Sequence, residues 1–180
     1  VSTIADGTAV KTPGTKIFPY IQENLDGILT VDDKELVVSF LDMVENHKMV
    51  VENFGLLTVA ALKQLKPENK KVVSILSGGN MDIITMSSVV QQGLIFRDRI
   101  FSVSVLLPDK PGELCRVASV IARENGNVIK LEHNQFVSTN RSAAVELRIT
   151  MEAFGTEHKN QIIAALEQGN YQPKVVATSI

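Results

Sequence analysis

Apolar residues recur along this chain with two different spacings, and the change in spacing divides it. Over residues 1–93 short apolar runs alternate with stretches of helical period. Ile17, Ile21 and Leu25 fall four apart and predict a helix within 15–25, with Pro19 forcing a late start. DGILTV (26–31) reads as a strand. Asp32-Asp33-Lys34-Glu35 follows as a D-x-x-E capping box. The next helix carries Leu36, Val37, Phe40, Leu41 and Val44 on one face and should stop near Asn46-His47. A second helix is expected over 56–65, with Leu57, Ala60, Ala61 and Leu65 inward and Pro67-Glu68-Asn69 as its breaker. VVSIL (72–76) is a continuous apolar run, the pattern of a strand buried on both faces of a parallel sheet. It runs into Ser77-Gly78-Gly79-Asn80 and then a helix over 81–92, with Gly93 expected to terminate it.

The second half has a different rhythm. IFSVSVLL (100–107) alternates, with Phe101, Val103, Val105 and Leu107 on one side and Ile100, Ser102, Ser104 and Leu106 on the other. A Pro-Asp-Lys-Pro-Gly turn (108–112) leads into a helix over 113–125, expected to bury Leu114, Val117, Ala118, Ile121 and Ala122. A strand is expected over 127–136, then a Ser/Thr/Asn-rich loop. Strand 143–151 sets Val145, Leu147, Ile149 and Met151 against Ala144, Glu146, Arg148 and Thr150. A helix over 156–168 carries Ile162, Ile163 and Leu166, and a short strand begins at Lys174. The order βαββαβ predicts a ferredoxin-like unit: a four-stranded antiparallel sheet with two helices on one face.

Composition narrows the classes. Apolar residues make up 44% of 180 positions, enough for a core, and the formal charge is −2. Lysines and arginines are scattered, so no nucleic-acid footprint is expected. No apolar run reaches the roughly 18–20 residues that cross a bilayer, so no membrane partner is expected. The single Cys115 excludes an internal disulfide and suits a reducing cytoplasm. The chain opens abruptly in IADGTAV without an initiator Met, which reads as the interior of a fold and predicts a fragment.

Two segments could carry chemistry. In Asp109-x-Pro111-Gly112-x-Leu114, Pro and Gly bring the backbone to a helix start whose free N–H groups suit an anion; Asp109 could take an ammonium or simply cap the helix. The stretch PDKPGELCRVASVIARENGNVIKLEHNQ (108–135) resembles the ACT domain. That resemblance implies pairing between copies and a small-molecule effector, an amino acid or a nucleotide, at their interface. Its contact positions would be Asp109, Pro111, Gly112, Glu113, Leu114, Asn127 and Val128.

Ser77-Gly78-Gly79-Asn80 is either a tight strand-to-helix turn or an anion-cradling loop; no Walker or Rossmann glycine pattern is present. ADGTAVKTPG (5–14), TVDDKELV (30–37), VVENFGLLTVAAL (50–62) and VVSILSGGNMD (72–82) occur in the order found in the threonine dehydratases, which they resemble. These are pyridoxal-phosphate enzymes of the second fold type. The resemblance implies that Ser77 hydrogen-bonds the cofactor's pyridine nitrogen, that Gly78 and Glu52 lie beside the ring, and that Gly7 lines its edge. It also implies conversion of L-threonine to 2-oxobutanoate and ammonia. Two family motifs are missing: S-F-K-x-R-G-A, with the lysine that holds the cofactor, and the glycine run that binds its phosphate. Lys11 and Lys48 have no such context. Phe54 stands where a small residue is usual.

The expectation is therefore a chain in two parts. Residues 1–96 would be the incomplete C-terminal part of a cofactor-dependent catalytic domain, a parallel sheet with helices. Residues 97–180 would be an ACT regulatory domain. No catalytic residue is expected in the chain itself, and this fragment is expected neither to be active nor to retain pyridoxal phosphate. A homo-oligomer, dimer or tetramer, is expected. His47, His133 and His158 lack metal spacing, and Cys115 is expected to be a packed thiol. The alternatives are a free-standing small-molecule-binding or dimerisation module, and an L-serine dehydratase or racemase of the same fold type.

Overall fold

The computed structural model describes residues 2–66, 69–134 and 145–178. Residues up to Gly93 form one compact unit and those from Leu94 a second. The expected breaker at Pro67-Glu68, the Ser/Thr/Asn-rich loop and the adjoining strand ends at 135–136 and 143–144 lie outside the described residues.

In the first unit, helix α1 (Phe18–Asn24) starts late, with Pro19 in its first turn, and buries no residue. Helix α2 (Asp33–Asp42) opens on the expected capping box: Asp32 accepts from the Glu35 N–H at 2.7 Å and Glu35 accepts from the Asp32 N–H at 2.9 Å. It buries Leu36, Val37, Phe40 and Leu41, then widens into one π turn, Met43–His47. Lys48, at φ 58°, ends it. The helix expected at 56–65 is broken into a 3-10 turn (Asn53–Leu56), helix α3 (Leu57–Ala61) and another 3-10 turn (Leu62–Gln64). Leu65 faces solvent instead of the core. Helix α4 (Ile83–Phe96) runs on through Gly93. This corrects Gly93 from terminator to contact: a Cβ there would lie 3.3 Å from Leu41 Cδ2, so its bare Cα lets α4 approach α2 closely.

Residues 26–31 and 72–76, both expected to be strands, pair with nothing among the described residues. Val73 is 89% exposed and Ile75 73%. A parallel strand exists only beside neighbours that accept its N–H groups, and none of the described residues supplies one. One segment is instead tied to the first turn of α3 and the other to the 3-10 turn that follows it. Thr58 Oγ1 donates to the Ile75 carbonyl at 2.9 Å, and Gln64 Nε2 to the Thr30 carbonyl at 2.8 Å.

The second unit follows the expected order: β1 (Ile100–Leu107), α5 (Glu113–Arg123), β2 (Asn127–Asn134), β3 (Val145–Glu152), α6 (Thr156–Gln168) and β4 (Lys174–Val176). The sheet order β2-β3-β1-β4, antiparallel throughout its ladders, is that of the ferredoxin-like fold used by ACT domains. Phe101, Val103, Val105, Leu107, Leu147, Ile149 and Met151 interlock with Val117, Ile121, Ile162 and Leu166 as one core. The buried stripe of α5 is narrower than its apolar sequence suggests. Leu114, Ala118 and Ala122 are exposed, and so is Cys115, because only Val117 and Ile121 point squarely at the sheet. On the other sheet face, buried Ser102 and Thr150 share a 2.8 Å hydrogen bond, and Ser104 donates to Glu146. His158 ties α6 to the end of α5: Nδ1 accepts from the Phe154 N–H and Nε2 bonds the Glu124 carbonyl, which the Nε2–H tautomer satisfies.

Candidate functional site

The first unit brings together residues far apart in sequence. Thr3 and the Ile4 N–H bond the Asp33 carboxylate at the start of α2. Asn53 Nδ2 donates to the Ile4 carbonyl at 3.1 Å. The 3-10 turn at Asn53–Leu56 thereby lies against residues 4–8. A Cβ on Gly7 would come within 2.8 Å of the Phe54 ring. The bulk that Phe54 adds is thus accommodated by the side chain Gly7 lacks.

The Ser77 loop docks on the same turn. The Ser77 carbonyl lies 1.7 Å from where a Gly55 Cβ would stand, so only glycine allows the approach. Gly78 has φ +81°, and the Glu52 carboxylate occupies the position of its missing Cβ. The Glu52 N–H donates to the Gly78 carbonyl at 3.4 Å. Ser77, Gly78 and Glu52 therefore lie against the 3-10 turn at Asn53–Leu56, and Gly7 lies against Phe54 of the same turn. Gly55 is the residue the sequence reading missed; its place in V-E-N-F-G beside Glu52 was the available signal.

The loop ends on Asp82, whose carboxylate accepts from the N–H groups of Ile84 and Thr85, both at 2.9 Å, capping α4. The Thr85 hydroxyl also donates to it and, foremost, holds its pKa below the usual carboxylate value. A depressed carboxylate stabilises the fold above its unfolded pKa, so this cap is lost only as pH falls through the lowered value. Among the described residues no three His, Cys, Asp or Glu side chains are placed to hold a metal ion.

The second unit splits its candidate residues. Asp109, Pro111, Gly112, Glu113 and Leu114 follow β1, at the end where Leu107 pairs with Val145. Gly112, at φ +93°, precedes α5 and no side chain caps it. Glu113 is engaged with Arg116 at 2.8 Å. Asn127 and Val128 lie at the opposite end, paired with Glu152 and Met151. Seven residues of β1 separate the two levels, about 23 Å at the usual strand rise. Asn127 Nδ2 donates to Glu152 Oε2 at 2.7 Å. Within one copy these positions make no common site.

No protein-family model matches the chain. Among curated proteins, the L-threonine ammonia-lyase of Geobacter sulfurreducens is 34% identical over 171 residues, 94% of this chain and 42% of the relative. The L-threonine ammonia-lyase of Thermotoga maritima is 29% identical over 175 residues, 97% of this chain and 44% of the relative. The chain is homologous to the threonine ammonia-lyases. It spans less than half the length of these two relatives. The L-threo-3-hydroxyaspartate ammonia-lyase of a Pseudomonas species is 44% identical over 92 residues, half of this chain and 29% of that relative. Among solved structures, the ACT domain of prephenate dehydrogenase TyrA from Bacillus anthracis aligns with 41% of this chain and 99% of its own at 26% identity, TM-score 0.32. The strand order, independently of that alignment, defines the fold of the second unit.

Among the described residues no helix is long and apolar enough to cross a membrane.

Proposed function

We propose that this chain is the C-terminal part of a pyridoxal-phosphate-dependent L-threonine ammonia-lyase, with residues 1–96 belonging to the catalytic domain and residues 97–180 forming an ACT regulatory domain. The observation that carries the reading is the convergence of Ser77, Gly78, Glu52 and Gly7, in a chain homologous to threonine ammonia-lyases. The residues fit the cofactor. Two glycines bring a hydroxyl-bearing loop and a carboxylate side by side, and nothing lies within 4 Å of a Cβ built on Gly79, so there is open space beside them. When bound, pyridoxal phosphate supplies a sink for the electrons left as the α-proton departs. Ser77 would donate its hydroxyl proton toward the ring nitrogen, a neutral partner that withdraws less charge than a protonated pair would. Glu52 would stand beside the ring and Gly7 at its edge.

The lysine and glycine-run motifs are absent from this sequence. The 180-residue chain alone should therefore release no keto acid from L-threonine, L-serine or L-threo-3-hydroxyaspartate. The full-length polypeptide should release 2-oxobutanoate from L-threonine. Keto acid from the short chain would sink the reading, as would a folded full-length polypeptide inert to all three. Preference for hydroxyaspartate would favour the function named for the Pseudomonas relative.

An effector site in the ACT domain would need two copies. The turn at Asp109–Gly112 of one copy would meet the Asn127 end of another, because one copy holds them at opposite ends of its sheet. Sedimentation of the 180-residue chain with a panel of amino acids and nucleotides should show ligand-promoted dimers. Binding of a ligand by a strict monomer would contradict a shared site.

A further inference from the structure

We infer that Asn125 is a site of spontaneous deamidation, which the turn closing helix α5 holds in check while the second unit is folded. The two helices of that unit end alike. After α5, Asn125 takes φ 60°. Its N–H donates to the Ala122 carbonyl and the Gly126 N–H to the Ile121 carbonyl, both at 3.0 Å. After α6, Asn170 takes φ 62°. Its N–H donates to the Glu167 carbonyl and the Tyr171 N–H to the Leu166 carbonyl, again both at 3.0 Å. After glycine, asparagine is among the residues that best accept this left-handed conformation at a helix end. Both asparagines are exposed. What sets them apart chemically is the residue that follows.

Packing dictates that residue after Asn125. A Cβ at Gly126 would lie 2.7 Å from Ile121 Cγ2 and 3.1 Å from Ile162 Cδ1, and both isoleucines belong to the core. The fold therefore needs glycine at 126, and a glycine nitrogen has no neighbouring Cβ to shield it. At Asn170 the following nitrogen carries the bulk of Tyr171.

The step needs no partner but water. The Gly126 nitrogen attacks Asn125 Cγ, and the new C–N bond closes a cyclic imide. The bond from Cγ to Nδ2 breaks, and the proton from the Gly126 nitrogen leaves with Nδ2 as ammonia. Water then opens the imide at either carbonyl. One product is aspartate; the other is its isomer, whose main chain runs through Cγ.

The folded turn opposes the attack. The Gly126 N–H is held by the Ile121 carbonyl, and His158 Nε2 bonds the Glu124 carbonyl one residue before Asn125. The nitrogen can reach Cγ only when the last turn of α5 opens, so the rate follows the open fraction. The product then keeps the turn loose. Either form adds a negative charge at the carbonyl end of α5, where the helix dipole disfavours it. The isomer also lengthens the main chain by one methylene, which displaces the Gly126 N–H from Ile121. This chemistry stands apart from any cofactor or effector at the sites above.

Peptide mass mapping with fragment-ion sequencing tests it on the 180-residue chain, aged at mildly alkaline pH with and without guanidinium chloride. In denaturant, Asn125 should deamidate about tenfold faster than Asn170, because Gly126 leaves its nitrogen unhindered. Without denaturant, Asn125 should slow by about tenfold or more. Asn125→Gly keeps the left-handed turn and lacks the amide. Native ageing should lower the unfolding midpoint of the parent by about 3 °C relative to this variant. Equal rates at Asn125 and Asn170 in denaturant would overturn the inference. So would an Asn125 rate unchanged by denaturant, or a midpoint that falls equally in both proteins.

Discussion

Alanine at Gly55 is expected to destabilise the first unit by about 3 kcal/mol and to unseat the Ser77 loop. The Cβ it adds would stand 1.7 Å from the Ser77 carbonyl oxygen and 2.9 Å from Val51 Cγ1. The nearer atom is backbone and cannot rotate away as a side-chain tip does. Either the loop moves or the 3-10 turn opens, and both changes separate Ser77 from Glu52. Gly79→Ala is the matched control. Nothing lies within 4 Å of a Cβ there, so a change within about 0.5 kcal/mol is expected. Urea titrations of both variants check the pair. A Gly55→Ala chain as stable as the parent would show that the Ser77 carbonyl does not rest on Gly55.

Ser77→Ala in the full-length polypeptide should lower threonine deamination by roughly 100-fold or more, the usual effect of deleting one positioned donor at a reacting centre. Stability should change little, because Ser77 is exposed and its docking uses its carbonyl, not its hydroxyl. That separation distinguishes the variant from Gly55→Ala, which should lose stability and activity together. Keto-acid release at saturating L-threonine, read beside the unfolding midpoint, is the measurement. Unchanged turnover in Ser77→Ala would remove the hydroxyl from the cofactor site.

The second unit was legible because its signals are local. Alternation along 100–107 and 145–151 put Val103, Val105, Leu147 and Ile149 on one face, and all four are buried together. The glycine of the 108–112 turn is likewise needed where φ is positive. The first unit was half legible. The Asp32–Glu35 box and the Phe40 face of α2 appeared as expected, since each is set within a few residues.

The misreadings all concern distant neighbours. Gly93 resembles a helix stop in sequence, but its use depends on Leu41, which α2 brings against it. Leu114, Ala118 and Ala122 belong to an apolar face by spacing, yet the sheet beneath α5 covers only the Val117–Ile121 stripe. VVSIL has the composition of a buried strand, and without paired neighbours among the described residues it forms none.

Ser77, Gly78, Glu52 and Gly7 could each be picked from their own short motif. Only the folded chain shows Gly55 and Phe54 setting the spacing between them, and only it places Asp109 and Asn127 at opposite ends of one sheet. Dihedral preference, capping and side-chain period act within a turn or two, so sequence alone determines the elements and their faces. Which elements meet depends on packing between residues tens of positions apart, and that was decided by the tertiary structure.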